Sequence, residues 1–401
     1  MINKNKDRGI TLVALVITII ILLILATISI QSLTNTGLFK NAQKAKDETQ
    51  NAAENQAKTL NEYEDELNKY TSGTPTPPPA PQIKKVADNI GSVLSTTDNT
   101  ELEDAYGNKI VVPAGFKIVS NSDTSNATTV DKGIVIEDAT VDSEGKATAT
   151  AGSQFVWIPV GTIYTDTAKA ESNTKNIELG RYSFDSNGNK SAYSGSYVEE
   201  DANDESTLTN TENKAIAKNI TNFKSSVSTN GGYYIGRYEA RTTTARTAAN
   251  NELTQITEKG TDSVYNYVTQ KQAAEQAQNM YNSNKFTSDL MNSYAWDTAT
   301  LFLQTCGKEK YSRKTSVNNS LARKGTNSSD YTGTRDTVCN VYDMASNVRE
   351  WTTETADSSD GPCVSRGGIY NDISDSYTSF RCYNDTSNSY DHYGFRPLLF
   401  V

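Results

Sequence analysis

The sequence predicts an α+β chain built in series: an apolar N-terminal helix, a stiff spacer, and a C-terminal domain of short strands with two helices among them. Three observations carry this. Residues 10–30 hold no charged side chain and are mostly Ile, Leu and Val. Five prolines fall within residues 71–81, a density that excludes helix and favours an extended chain. Beyond them, short β-branched runs sit between Asn, Asp, Ser and Gly turns, with only two stretches of helical pattern.

Residues 1–9 are polar and basic, with Lys4, Lys6 and Arg8 against Asp7. The run 10–30 makes about 30 Å of helix, enough to cross a bilayer core. Its basic flank places the N-terminus in the cytoplasm and everything after residue 30 outside. No small-residue cleavage site follows, which argues against an ordinary secretory signal. Residues 31–70 continue as a helical stalk, with Leu33, Leu38, Ala42, Ala45, Ala52, Leu60, Leu67 and Tyr70 recurring mostly at helical spacings. The spacer 71–82 is the strongest domain boundary.

Residues 83–150 read as a β-rich segment, with strands over Lys109–Pro113 and Gly133–Glu137 and no catalytic grouping. The domain 151–401 carries a polar insertion over 166–230. Two helices follow, Gln270–Tyr281 and Ser288–Thr305, the second with Leu290, Tyr294, Trp296, Ala299 and Phe302 as apolar positions. Leu398–Val401 reads as a terminal strand buried in a sheet.

Composition narrows the function. The formal net charge of −10 over 401 residues argues against nucleic acid. A single histidine, His392, nearly excludes imidazole metal sites and Ser-His-Asp catalysis, and reads as a solvated loop side chain. Cys306, Cys339, Cys363 and Cys382 show no Cys-x-x-Cys spacing. An even number outside the membrane suggests disulfides, in any of three pairings; four buried thiols are the alternative.

Three strings near the C-terminus stand in fixed order: Asn340-Val-Tyr-Asp-Met-Ala-Ser-Asn-Val-Arg-Glu-Trp351, Arg366-Gly-Gly-Ile-Tyr370 and Gly394-Phe-Arg-Pro397. In the first, Asp343 and Glu350 bracket main-chain carbonyls near Ser346 and Val348, a ligand set suited to Ca²⁺. In the second, two glycines permit close approach of a neighbouring chain.

Together the strings resemble the formylglycine-generating (sulfatase-modifying factor) family, a branch of the C-type-lectin-like fold. Phe155–Gly161, Gly232–Glu239 and Ala295–Leu303 look like that family's opening strand, next strand and second helix. The resemblance implies a C-type-lectin-like fold over about 150–401. It also implies a Cys306–Cys382 disulfide, which leaves Cys339 and Cys363 to each other. The family's glycine in the first string is Ser346 here. The enzymes' two copper-binding cysteines fall on Asp372 and Tyr377, and neither can supply the soft thiolate that Cu(I) selects. The resemblance therefore implies the scaffold without copper or catalysis.

The N-terminus, Lys6-Asp-Arg-Gly9-Ile10-Thr-Leu-Val-Ala14, resembles a type IV prepilin leader, which is cut after the glycine and methylated on the next residue. Pilins carry glutamate at the fifth mature position, where this chain has Ala14. A processed pilin-like subunit and a plain single-pass anchor are both open.

Residues 370–393 hold five Tyr, five Ser, four Asp and three Asn. Tyr370, Asn371, Asp372, Asp375, Tyr377, Tyr383, Asn384, Tyr390, Asp391 and Tyr393 are the candidate ligand contacts, since tyrosine gives large rigid area and Asn and Asp give polar selectivity. The alternative is a polar loop that hydrogen-bonds itself into place. The stretch lacks Lys, Gln, Glu, Met and Trp. Those five cannot arise when the adenines of an Asn codon are replaced at random, so the stretch resembles the variable region of a retroelement-diversified protein.

The expected function is a non-catalytic protein of the cell membrane or a surface pilus, displaying a loop that binds an extracellular protein or glycan. Its partners would be that ligand, the membrane and pilin subunits, with no nucleic acid. A formylglycine-generating oxidase and a structural minor pilin are the rivals. If Gly9–Ile10 is a prepilin cut site, N-terminal mass spectrometry should find a chain starting at methylated Ile10, and Gly9→Leu should abolish the cut. An intact Met1 terminus in cells holding the peptidase would leave the plain anchor.

Overall fold

The short strand-forming runs between residues 116 and 400 pair into two main sheets. The computed structural model describes residues 83–199, 217, 220–249, 252–313, 336–356, 361–370 and 377–401, with 46, 49–50, 53 and 56–64. The chain divides into two units, Met1–Gln82 and Ile83–Val401. In the first, the described residues are helical, and Leu60 and Tyr63 are exposed. The leader with Gly9 and Ile10, the apolar run 10–30 and the spacer 71–82 lie outside the described residues. Among those described, no helix is long and apolar enough to cross a membrane.

The elements that position the site are, in chain order, β1 (Phe116–Val119), β2 (Val135–Asp138), β3 (Gln154–Pro159), β4 (Tyr197–Val198), α1 (Ile220–Asn230) and β5 (Gly232–Gly236). There follow α2 (Gln270–Gln278), β6 (Thr287–Leu290), α3 (Ser293–Phe302), β7 (Arg349–Ala356), β8 (Cys363–Arg366), β9 (Arg381–Asn384), β10 (Tyr393–Phe395) and β11 (Pro397–Phe400). One sheet runs β6-β11-β5-β3-β2-β1, antiparallel throughout. The other runs β4-β7-β8-β9, with β10 parallel to β7. The unit is a mixture of helix and strand in which sheet predominates.

Burial explains the central strands. Phe155, Val156, Trp157 and Ile158 are all fully buried, as expected of a strand covered on both faces. Leu398, Leu399 and Phe400 fill the middle of the same sheet between β5 and β6. Pro397 opens that strand, where a missing N–H costs least.

Two expectations need correction. β1 and β2 belong to the sheet that contains β3, so the sheet runs through the boundary expected at residue 150. The second helix does not begin at Ser288. Thr287–Leu290 is strand, paired with Pro397–Phe400, and Leu290 sits in that ladder. The helix starts at Ser293 because the Asn292 side chain accepts from the Ala295 N–H at 2.9 Å, a cap that fixes its first turn. It ends in a π-turn over Leu303–Gly307. The first helix, Gln270–Gln278, is opened by a capping box between Thr269 and Gln272.

The polar insertion is more than a loop. It supplies the hairpin Tyr182–Phe184 with Lys190–Ala192, and the strand Thr174–Ile177 that pairs with Gly161–Tyr164 just before it. It also supplies β4, which pairs with the end of β7, and α1, which buries Phe223 and Val227.

The three tryptophans are fully buried. Trp351 stacks on Tyr393 with ring centroids 4.7 Å apart and donates its indole N–H to Val268 O at 2.7 Å. Trp296 donates to Thr378 O at 2.8 Å. These two thus bury a large ring while keeping the donor satisfied, whereas the indole N–H of Trp157 meets no acceptor among the described residues.

Candidate functional site

The three ordered strings meet inside the fold as a clamp of buried ion pairs. Arg396, from the third, bonds both carboxylate oxygens of Glu350, from the first, at 2.7 and 3.0 Å. Its remaining N–H groups reach Gly236 O at 2.8 Å and Tyr342 O at 2.7 Å. Arg366, from the second, bonds Asp297 on α3, Glu354 on β7 at 3.3 Å and Phe380 O at 3.0 Å. Arg381 on β9 shares Asp297 and Glu354, and Arg181 of the insertion also bonds Glu354. Removing one partner of such a pair leaves an uncompensated buried charge, at roughly 3–5 kcal/mol.

Two glycines make the approach possible. Gly367 has φ +79, and a Cβ there would lie 2.6 Å from Met344 O. Gly394 has no room either, since its Cβ would meet the Val348 side chain at 2.8 Å. The motif glycines therefore serve packing between strings.

Around Glu350 lies a second buried cluster, of Glu239, Glu258, Asp343 and Arg241. Arg241 pairs with Glu239 at 3.3 Å, and Asn347 Nδ2 donates to both Glu239 oxygens at 3.0 and 3.1 Å. Burial, and then the charge of Asp343, push Glu239 well above the usual carboxylate range. Burial pushes Glu258 up as well, against the pull of Arg396 and Arg241, and its Oε1 has no hydrogen-bond partner. Asp336, which accepts from the Tyr311 hydroxyl at 2.6 Å, is pushed up to about 6. The cluster holds more carboxyls than guanidiniums, so burial favours proton uptake by its carboxyls.

The expected calcium ligands do not fit a Ca²⁺ site. Both oxygens of Glu350 are taken by Arg396, so the positive charge beside it comes from the protein itself. The Ser346 hydroxyl donates to Asp343 Oδ1 at 3.3 Å, and the Val348 N–H points to Glu239 Oε1 at 3.4 Å. Among the described residues, no group of three or more His, Cys, Asp or Glu side chains could hold a metal ion.

The cysteines do not meet in the pairs that the resemblance implies. The π-turn carries Cys306 towards Asp131, whereas Cys382 lies on β9 with Arg349 Nη1 3.4 Å from its sulfur. Cys363 and Cys382 occupy adjacent strands, opposite Asn384 and Ser365 respectively. Cys339 sits apart from Cys363, in the turn between the short strands Thr337–Val338 and Val341–Tyr342.

The candidate ligand residues divide by exposure. Tyr383 and Tyr390 are 60% and 55% exposed, and are the only large aromatic side chains exposed among the described residues of 83–401. Tyr393 is buried against Trp351, with its hydroxyl on Asn384. Asn384 is itself buried, donating to Ser365 Oγ at 2.9 Å. Tyr370 is half-buried and donates to Asp391 at 2.8 Å, and His392 Nδ1 lies 3.0 Å from the other Asp391 oxygen. Tyr377 packs edge-on to Phe380 at 5.3 Å. Asn371, Asp372 and Asp375 lie outside the described residues. The turn between the exposed tyrosines brings Thr386 and Ser387 to a crevice of about 440 Å³ against Thr269, Gln272 and Glu275.

Sequence reasoning missed the insertion's contribution to this face. Tyr193 and Tyr197 stack with centroids 6.5 Å apart, and the Arg381 guanidinium lies 4.1 Å over Tyr193. Burial raises the Tyr197 hydroxyl above its ordinary value. The four-residue spacing of the two tyrosines was the only signal, and in a polar stretch it points nowhere in particular.

No family model matches the chain, and no curated protein does. Among solved structures, Treponema denticola variable protein 1 is similar at 12% identity and a TM-score of 0.35, over 64% of this chain and 99% of that one.

The buried carboxyls give a pH prediction. Glu258 binds its proton in the folded state at a pH where the unfolded chain has lost it, so folding stability falls as pH rises above the ordinary glutamate value. The slope is at most about 1.4 kcal/mol per pH unit for one proton. Denaturant unfolding at pH 5 to 8 should therefore show Glu258→Gln gaining on wild type as pH rises. A constant difference across that range would mean that Glu258 is charged when folded.

Proposed function

We propose that the unit 83–401 is a non-catalytic recognition domain of C-type-lectin-like fold, and that the face around Tyr383 and Tyr390 binds an extracellular protein or glycan. The N-terminal apolar helix holds it at the cell surface, as a single-pass anchor or within a pilus. One observation carries the reading. Among its described residues, the unit 83–401 buries its other large aromatic rings, wholly or in part, and leaves these two exposed within the stretch of recognition-type composition. Tyrosine rings desolvate well and lose few rotamers on contact, which is why they concentrate at binding hot spots.

Two further features support it. The glycines and arginines of the ordered strings are occupied in holding the scaffold, so they are not available for chemistry. The positions that would carry copper-binding thiols are Asp372 and Tyr377, and the reading needs neither copper nor turnover. The missing Lys, Gln, Glu, Met and Trp in 370–393 fit a stretch diversified at adenines, with recognition of different ligands as its purpose.

The test is binding to a glycan array and to an array of secreted and cell-surface proteins. On the ligand so found, Tyr383→Ala and Tyr390→Ala should each cost on the order of 1–3 kcal/mol of affinity with the melting temperature unchanged. Tyr393→Ala should instead lower stability by roughly 3–5 kcal/mol. Retention of full affinity by the Tyr383 and Tyr390 variants would overturn the assignment.

A further inference from the structure

Cys306 and Cys339 are 33 positions apart in sequence and come from different elements, yet both sit beside the 130–132 turn. A Cβ built on Gly307, the residue after Cys306, would lie 2.9 Å from Cys339 Sγ. Cys339 Sγ is 3.7 Å from Asp131 O. Asp131 also heads the charges felt by Cys306, and Cys306 those felt by Cys339. The neighbourhood is firmly held. Asn340, next to Cys339, donates to Thr124 O at 3.1 Å, Lys132 O at 3.3 Å and Gly133 O at 2.8 Å. Cys339 and Asn340 both have left-handed backbones, and Gly133 has no Cβ because one would strike Cys339 O.

We infer that Cys306 and Cys339 form a disulfide when the domain matures in an oxidising compartment, the pairing that the juxtaposition of the π-turn and the 338–341 turn allows. The two thiols give up two protons and two electrons to a disulfide oxidant, such as oxidised glutathione or an oxidoreductase, which leaves as two thiols while one Sγ–Sγ bond forms. Cys363 and Cys382 remain thiols, the first fully buried and the second beside Arg349. The bond ties the end of α3, which carries Asp297, to the turn that opens the Asn340–Trp351 string. It thereby staples two parts of the ion-pair clamp from outside. Burial pushes both thiols up to about 12, so in the folded domain they exchange slowly; the bond forms early and, once formed, resists reduction.

The experiment uses the full chain made in an oxidising compartment, alkylated and digested with trypsin without reduction. A linked pair of peptides, Phe286–Lys308 with Asp336–Arg349, should appear two hydrogens lighter than the separate peptides and vanish on reduction. Thiol counting in denaturant should give two for wild type, three for Cys306→Ser or Cys339→Ser, and two for the double variant. Reduction should lower the melting temperature by roughly 5–10 °C in wild type and not in the double variant. Four free thiols in wild type, or a Cys306–Cys382 link, would overturn the inference.

Discussion

The structure depends on guanidinium groups buried against carboxylates far away in sequence. Arg366 and Arg381 share Asp297 and Glu354, and so join β8 and β9 to α3 and β7. Arg396 holds Glu350 and the carbonyls of Gly236 and Tyr342, and so ties the last strand to the two sheets. Arginine suits this place because its planar fork satisfies several acceptors at once and stays charged when buried. Such pairs add little net stability over an apolar core, yet they tolerate no mismatch, since a lone buried charge is costly. They define one arrangement of the chain.

A frame fixed in this way leaves a face free to differ. On β9 Asn384 is buried while its neighbour Tyr383 points to solvent. One strand therefore serves both purposes through the two-residue alternation of its side chains. The same division recurs after it, with Tyr390 exposed and Tyr393 stacked on Trp351. Exposed positions on this stretch can change chemistry without touching the clamp, which is the physical requirement for a variable recognition surface.

Local signals were legible and distant pairings were not. The strands at Phe155–Ile158 and Leu398–Phe400, the helix over α2 and the core of α3 all follow from runs and periodicity of apolar side chains. Asp343 and Glu350 read as cation ligands because the sequence shows two carboxylates near each other. It does not show that Arg396 folds back onto Glu350 and supplies the positive charge. Leu290 read as helical for the same kind of reason, since its partner strand lies at the far end of the chain. The ten candidate contacts follow from composition, and composition cannot separate Tyr383 from Tyr393: burial is decided by whether Trp351 lies opposite.

The central claim is this division between a fixed frame and a free face. The most direct measurement is saturation mutagenesis of the displayed full chain, with selection for protease-resistant folding and no ligand present. Tyr383 and Tyr390 should accept most residues, while Asp297, Glu350, Glu354, Arg366, Arg381, Arg396 and Tyr393 should accept almost none. Equal intolerance at Tyr383 and Tyr390 would make them scaffold and contradict the account.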